Sequence, residues 1–177
     1  MSTSCNLSAA IALDCMDFIS GIKTLWVSSD ADLGTIVSGA TAGITSLVGA
    51  TGTFYQVAVA KDSASYTETF NVSNVNGTAF WEQSTVIPVQ HMTSAKRAQL
   101  QLLAYNRDCK VLFEDNNGLY WLSGASRGAL ISTGTNTTGT AVGDYNGYNV
   151  TLTAQEPEMA YQVLNLAALT GLSIVDA

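Results

Sequence analysis

The clearest alternation of apolar and polar positions lies in the middle of the chain. From Ala64 to Val72, Ala64, Tyr66, Phe70 and Val72 share one side, while Ser65, Thr67, Thr69 and Asn71 take the other. A period of two puts successive side chains on opposite faces, so this segment predicts a half-buried strand. Asn76-Gly77 then supplies a turn of the kind that joins antiparallel strands, and Thr78–Ile87 reads as the return strand of a hairpin. Pro88 has no N–H to give to a ladder and is expected to end it. Lys23–Ser28 sets Leu25 and Val27 opposite Trp26, and Thr53–Ala60 groups Tyr55, Val57 and Val59. Lys110–Asp115 and Leu119–Gly124 flank Asn117-Gly118, a second hairpin signal. In Tyr148–Ala154, Tyr148, Val150, Leu152 and Ala154 alternate with Asn149, Thr151 and Thr153; Pro157 interrupts the pattern and Met159–Val163 resumes it.

One segment has helical spacing instead. Ser94–Asn106 can be capped by Thr93 or Ser94, and Ala95, Ala98, Leu102 and Tyr105 form an apolar stripe with Leu103 on its flank. Leu100 falls off that stripe, which leaves room for a second contact. Two stretches, Asp30–Gly52 and Ala125–Gly147, are built from Gly, Ala, Thr and Ser. Structureless loops of that length are uncommon inside a compact domain, so both read as interaction arms. The expected organisation is an N-terminal arm over 1–22, one β-rich domain over 23–163 and a C-terminal tail over 164–177, with no internal repeat. The fold class expected is mainly β: a sandwich or barrel with one flanking α-helix and long assembly loops.

Composition sharpens this picture. Charged residues are only 12% of the 177, and Ser and Thr together number 37, a bias toward strands over helices. At 47% hydrophobic residues, disorder is not expected. Seven basic residues against 14 acidic ones leave a net charge of −7, too little positive surface to hold nucleic acid by its phosphates or to dock on an anionic membrane. No apolar run is long enough for a membrane-spanning helix, and residues 1–12 lack the basic start of a signal peptide. Cys5, Cys15 and Cys109 have no metal-ligand spacing and read as reduced thiols.

Several fragments invite a chemical reading and fail its second requirement. Gly124-Ala125-Ser126-Arg127-Gly128 matches the nucleophile-elbow pattern, but the single histidine, His91, precedes it and no helix pattern follows. It reads as a glycine-bounded turn, with an esterase on Ser126 as the enzyme alternative. His91 itself reads as a loop residue before the helix. Asp115-Asn116-Asn117-Gly118 and Asp144-Tyr145-Asn146-Gly147 resemble pieces of calcium loops without the remaining oxygen ligands, so Asx turns are expected. Lys96, Arg97, Arg107 and Lys110 cluster on or after the helix, a solvated face or one that pairs with an acidic neighbour. Glu68 shares its face with Tyr66 and Phe70; a kink, an ion pair at the core edge or a face open to water would explain it. No catalytic, cofactor-binding or metal site is expected.

Tyr66–Gln83, Ala98–Leu103 with Asn106, Val111–Gly124 and Gly134–Glu156 run in an order that resembles the tail tube, or major tail, proteins of long-tailed bacteriophages, over roughly residues 22–160. The resemblance implies a β-sandwich with one flanking helix, assembled as hexameric rings whose strands line a continuous inner barrel. It implies a long loop that reaches the next ring. A location in the virion tail, assembly in the host bacterial cytoplasm and other phage tail proteins as partners follow from it, with DNA as a non-specific passenger in the lumen. On that reading some of Glu68, Glu82, Glu114 and Asp115 face the lumen. A neck or connector ring of a short-tailed phage is the alternative within virions. A glycan-binding decoration protein using Trp81, Trp121 and Tyr145 is the alternative outside assembly.

Overall fold

The computed structural model describes residues 11, 16–38 and 43–177. Most of the expected N-terminal arm, with Cys5 and Cys15, lies outside the described residues. Two sheets make the fold. The larger has the order β12-β4-β1-β7-β8-β11-β3-β2. It is built from β1 (Ile22–Ser28), β2 (Thr35–Ser38), β3 (Ile44–Val48), β4 (Thr53–Gln56), β7 (Lys110–Asp115), β8 (Tyr120–Ser123), β11 (Tyr161–Val163) and β12 (Ser173–Val175). The smaller runs β5-β6-β10-β9, from β5 (Ser65–Ser73), β6 (Thr78–Gln90), β9 (Ala129–Thr137) and β10 (Gly147–Glu156). One helix among the described residues, α1 (Ser94–Tyr105), joins β6 to β7. The chain is therefore mainly β, with two packed sheets and a flanking helix, as the alternation requires.

Two cores divide the apolar residues. The first lies between the sheets: Leu25 and Val27 of β1 and Val111 and Phe113 of β7 meet Ile87 and Val89 of β6 and Val150 and Leu152 of β10. Trp26 and Leu112, on the opposite faces of the same two strands, enter the second core with Ile44, Leu47, Phe54, Leu122 and Val163. Those residues come from six strands of one sheet, so the larger sheet curls around its own second core. Each fully buried side chain of this size contributes about 1.5–3 kcal/mol. Trp26 enters with its indole N–H donating to Asp176 Oδ1 at 2.9 Å, so the C-terminal residues seal that core.

Several expectations are corrected. Asp30–Gly52 is not an arm. It supplies β2 and β3, and Ala31, Leu33, Ile44, Leu47 and Ala50 are buried. Gly34, at φ +57°, lies so close to the β3 end that a Cβ there would sit 2.3 Å from the Val48 carbonyl oxygen. Isolated apolar residues among small ones sufficed because each reaches a core already walled by other strands. Ala125–Gly147 likewise holds β9. Residues 164–177, set apart in the sequence as a tail, bury Ala168 and Leu169 and add β12 in parallel to β4. In β4 it is Phe54 that is buried and Tyr55 that is exposed, so only Val57 and Val59 of the expected group pack on the first core.

Pro88 does not end its strand. β6 continues to Gln90, with Pro88 opposite Asn149. β5 stops at Ser65, opposite Val86, so beyond that point β6 has a neighbour on one side only and a residue without an N–H is tolerated. The helix begins where expected, with Thr93 Oγ1 accepting from the Lys96 N–H at 3.2 Å. Its orientation is reversed. Leu100 and Leu103 pack on the first core, while Ala95, Ala98, Leu102 and Tyr105 face outward. A four-residue stripe and a two-residue one compete for the core, and the Leu pair fills the space over β9.

Candidate functional site

The smaller sheet has one face on the first core and one face uncovered. Gln83, Thr85, Ile87 and Val89 of β6 are buried, so Glu82, Ser84, Val86 and Pro88 project from the other side. The register carries that face across all four strands. Thr69, Glu82 and Gln155 form one row. Thr67, Ser84, Thr153 and Leu130 form the next. Ser65, Val86, Thr151 and Thr133 form a third, and Pro88, Asn149 and Thr135 a fourth. Hydroxyls and amides dominate these rows, and Glu82 is their single charged side chain.

Both edges of this sheet are long. β5 and β9 each run 9 residues, and among the described residues neither has a second neighbour. Edge strands in monomeric proteins are shortened or marked with Lys or Pro, because their free N–H and C=O groups template further pairing. β9 carries no charge, and the only charge on β5 is Glu68, which faces inward. β9 has one bulge, where Thr151 faces Thr133 and Leu152 faces Ile131, leaving Ser132 unpaired. Such a bulge adds curvature to the strand. From Thr133 to Thr137 the edge is regular.

Of the four carboxylates considered for a lumen, the structure puts Glu82 alone on the uncovered face. Glu68 is turned toward the core side, where Oε1 accepts from the Tyr66 hydroxyl at 2.8 Å and the Ala160 N–H at 2.7 Å. Hydrogen bonds rather than a kink or an ion pair account for it. Burial first, and the Glu68 carboxylate second, push the Tyr66 hydroxyl's pKa far up. Glu114 is buried and pairs with Lys23 Nζ at 2.6 Å, which raises the lysine's pKa. Asp115 Oδ1 accepts from the N–H groups of Asn117 at 2.8 Å and Leu119 at 2.9 Å, closing the β7–β8 turn.

The remaining sequence candidates resolve into structure. Ser126 sits in a turn bounded by Gly124 and Gly128 at φ +72° and +78°. The buried Glu156 occupies that turn, taking the Ser126 N–H at 3.2 Å and the Arg127 N–H at 2.8 Å. His91, with φ +67°, is held elsewhere by its own N–H on the Asn146 carbonyl at 2.8 Å. Asp144 Oδ2 accepts from Thr140 N–H at 2.8 Å and Ala141 N–H at 2.7 Å, and these bonds hold its pKa below the usual aspartate value. Lys110 is not part of a solvated basic face; it is buried and ion-paired with Asp108. Trp81 stacks on Phe70 with ring centroids 4.5 Å apart, and Trp121 packs on the first core. Tyr145 lies in the loop before β10, its hydroxyl donating to the Tyr148 carbonyl at 2.9 Å. The three rings belong to separate packing groups.

Two hollows border these residues. A groove of about 800 Å³ is lined by Asp30, Asp32, Asp108, Lys110, Ser126 and Tyr161 among others. Its acids are turned to their own turns: Asp30 takes the Ser28 hydroxyl at 2.9 Å and Asp32 the Gly34 N–H at 2.9 Å. A cavity of about 110 Å³ lies between Gln83, Glu156, Glu158 and Tyr161. There Glu158, hydrogen-bonded to the Tyr161 hydroxyl, together with burial raises that phenol to about 12. No group of three or more His, Cys, Asp or Glu among the described residues is arranged to hold a metal ion, and no described helix is long and apolar enough to cross a membrane.

Sequence reasoning missed two polar devices. Gln83 is 2% exposed and bridges the sheets: its Oε1 accepts from the Ser123 hydroxyl at 2.8 Å and the Gly124 N–H at 3.0 Å. Its Nε2 donates to the Glu158 carbonyl at 3.3 Å. Asn117 reads the backbone of Ile19 as a strand would, accepting its N–H at 2.9 Å and donating to its carbonyl at 2.8 Å. Asn116 donates to the Ser20 carbonyl at 2.7 Å, so residues 19–20 are pinned to the β7–β8 turn. Gln83 does stand at an inward position of its strand, and a polar residue there was the available signal. Nothing in the sequence pairs Asn117 with Ile19. Neither a protein-family profile nor a curated protein nor a solved structure matches this chain.

Proposed function

We propose that this chain is a structural virion subunit that self-assembles into stacked rings forming a phage tail tube, a conduit for DNA. The observation that carries the reading is the pair of long edges, free of Lys, Arg and Pro, bordering one hydroxyl-lined sheet face. Four strands alternate in direction across the sheet, so β5 and β9 run antiparallel to each other. β9 of one copy can therefore pair with β5 of the next in the same antiparallel sense all the way round. Closure removes both free edges of the smaller sheet, as in any barrel. Six copies would supply about 24 strands, which at about 4.8 Å spacing and a tilt of about 40° enclose a backbone diameter of about 50 Å.

The uncovered face then becomes the lumen wall. It carries no Lys or Arg in its four rows, so it offers no phosphate contact and no gain from counterion release. Rings of Glu82 add mild repulsion. A duplex passes such a wall without being held. The role is one of assembly, with no reaction and no cofactor assigned. Its setting is the virion tail, built in the bacterial cytoplasm alongside other tail proteins.

Light scattering and negative-stain imaging of the purified protein test this. Rings with a central hole that stack into tubes are expected. Closed rings that never stack would favour a neck or connector ring, and a monomer that persists at high concentration would overturn assembly altogether.

A further inference from the structure

Among the apolar side chains that the subunit leaves uncovered, two groups lie on opposite flanks of the smaller sheet, both on its core side. At the β9 flank stands α1, which contacts β9 and sends Leu100 and Leu103 into the first core. Its outer stripe is bare: Leu102 is 66% and Tyr105 76% exposed. At the β5 flank, the core-side row of the β5–β6 hairpin continues past the core. There Phe70 is 51% and Val72 56% exposed, although Phe70 is backed by Trp81. The helix flank carries Lys96, Arg97 and Arg107, with Asp108 beside them, while the β5 flank carries Glu158, in a loop fastened to β5 by the Ala160–Glu68 hydrogen bond of 2.7 Å.

We propose that these flanks are the two halves of one contact between copies, in which the Leu102–Tyr105 stripe of α1 is covered by the Phe70–Val72 face of the next copy's hairpin. The inference rests on the edge-to-edge joining proposed above, because pairing β9 with a second copy's β5 brings both flanks to one seam on one side of the sheet. The two patches lie on different elements, so the contact is head-to-tail. Contacts of that kind propagate into closed rings or filaments rather than stopping at a two-fold dimer. The net-basic helix flank meeting Glu158 beside the hairpin biases the direction of joining.

Cross-linking between copies tests it in a Cys5→Ser, Cys15→Ser background. Leu102→Cys protein is mixed with Phe70→Cys protein and oxidised mildly; a disulfide needs the two Cα atoms within about 7 Å. Disulfide-linked pairs containing one of each variant are expected in the mixture, and a ladder of oligomers is expected when both cysteines are in one chain. Leu102→Glu alone should raise the concentration needed for assembly by about tenfold or more while leaving the circular dichroism of the monomer unchanged. If wild-type rings form, yet no mixed disulfide appears and Leu102→Glu assembles normally, the contact is wrong and the tube reading stands. If the wild type never assembles, both fall.

Discussion

Replacing Gln83 by leucine isolates the network that holds the two sheets in register. Leucine has nearly the volume of glutamine, so no cavity opens and the change is one of hydrogen bonding. In the wild type, Gln83 takes the Gly124 N–H at 3.0 Å and the Ser123 hydroxyl at 2.8 Å, and gives an N–H to the Glu158 carbonyl at 3.3 Å. The variant orphans one N–H and one C=O at a position only 2% exposed, while the serine hydroxyl rotates to another acceptor. Each orphaned buried group costs about 1–3 kcal/mol, and the added apolar burial returns about 1 kcal/mol, so a net loss of about 1–5 kcal/mol is expected. For a chain of this length each kcal/mol lowers the melting temperature by about 2–4 °C, which makes the shift about 2–20 °C. Thermal unfolding followed by circular dichroism measures it, at a concentration below that of any assembly, since association raises apparent stability by mass action. Gln155→Leu, on the uncovered face, is the control and should change stability by less than about 0.5 kcal/mol. A Gln83→Leu protein that melts with the wild type would refute the claim that this side chain ties the sheets together.

Two further outcomes follow from the polar contacts. The Thr140 and Ala141 N–H groups stabilise the Asp144 carboxylate, so its folded pKa lies below the ordinary value of 3.8. That contribution is complete above the ordinary value and is lost as pH falls through the folded one. Protection factors at Thr140 and Ala141, taken against the intrinsic exchange rate at each pH, should therefore fall on acidification, and Asp144→Asn should show the lower protection already at neutral pH; unchanged protection in that variant would count against the assignment. Asn117→Ala removes both bonds to Ile19, so residues 16–21 should become sensitive to protease while the melting temperature moves by no more than a few degrees, within about 1 kcal/mol of stability.

The strands that alternate cleanly, β5 and β10, were legible because each is half-buried and each covers one core. β1 and β7 are buried on both faces, and even there the opposition of Leu25 and Val27 to Trp26 gave the correct assignment. Failure came where burial depends on partners distant in sequence. Ile44, Leu47 and Ala50 look isolated until the larger sheet curls around them, and β12 is held by parallel pairing to a strand some 120 positions away in the chain. The helix was found by its cap and spacing, but its stripe was assigned to the wrong side because a bare apolar face reads the same as a buried one. At the candidate site the hydroxyl-rich face was visible as composition alone. Separating Glu82 from Glu68, Glu114 and Asp115 needed their hydrogen-bond partners.

The double-sided burial of β1 also dictates when the molecule can take shape. β1 spans Ile22–Ser28 and pairs along its length with β7 at Lys110–Asp115. A ribosome must therefore release most of the chain before that strand meets its partner, and β10 must follow before the space between the sheets is filled. Pairings this remote are slow to close, whereas the β5–β6 ribbon forms from neighbouring residues. If β5 joins a second copy as proposed, the nascent subunit carries that edge early and its supporting body late. Synthesis on crowded polysomes should favour premature joining unless the ribbon stays too floppy to pair, and its lack of an independent core gives it that latency.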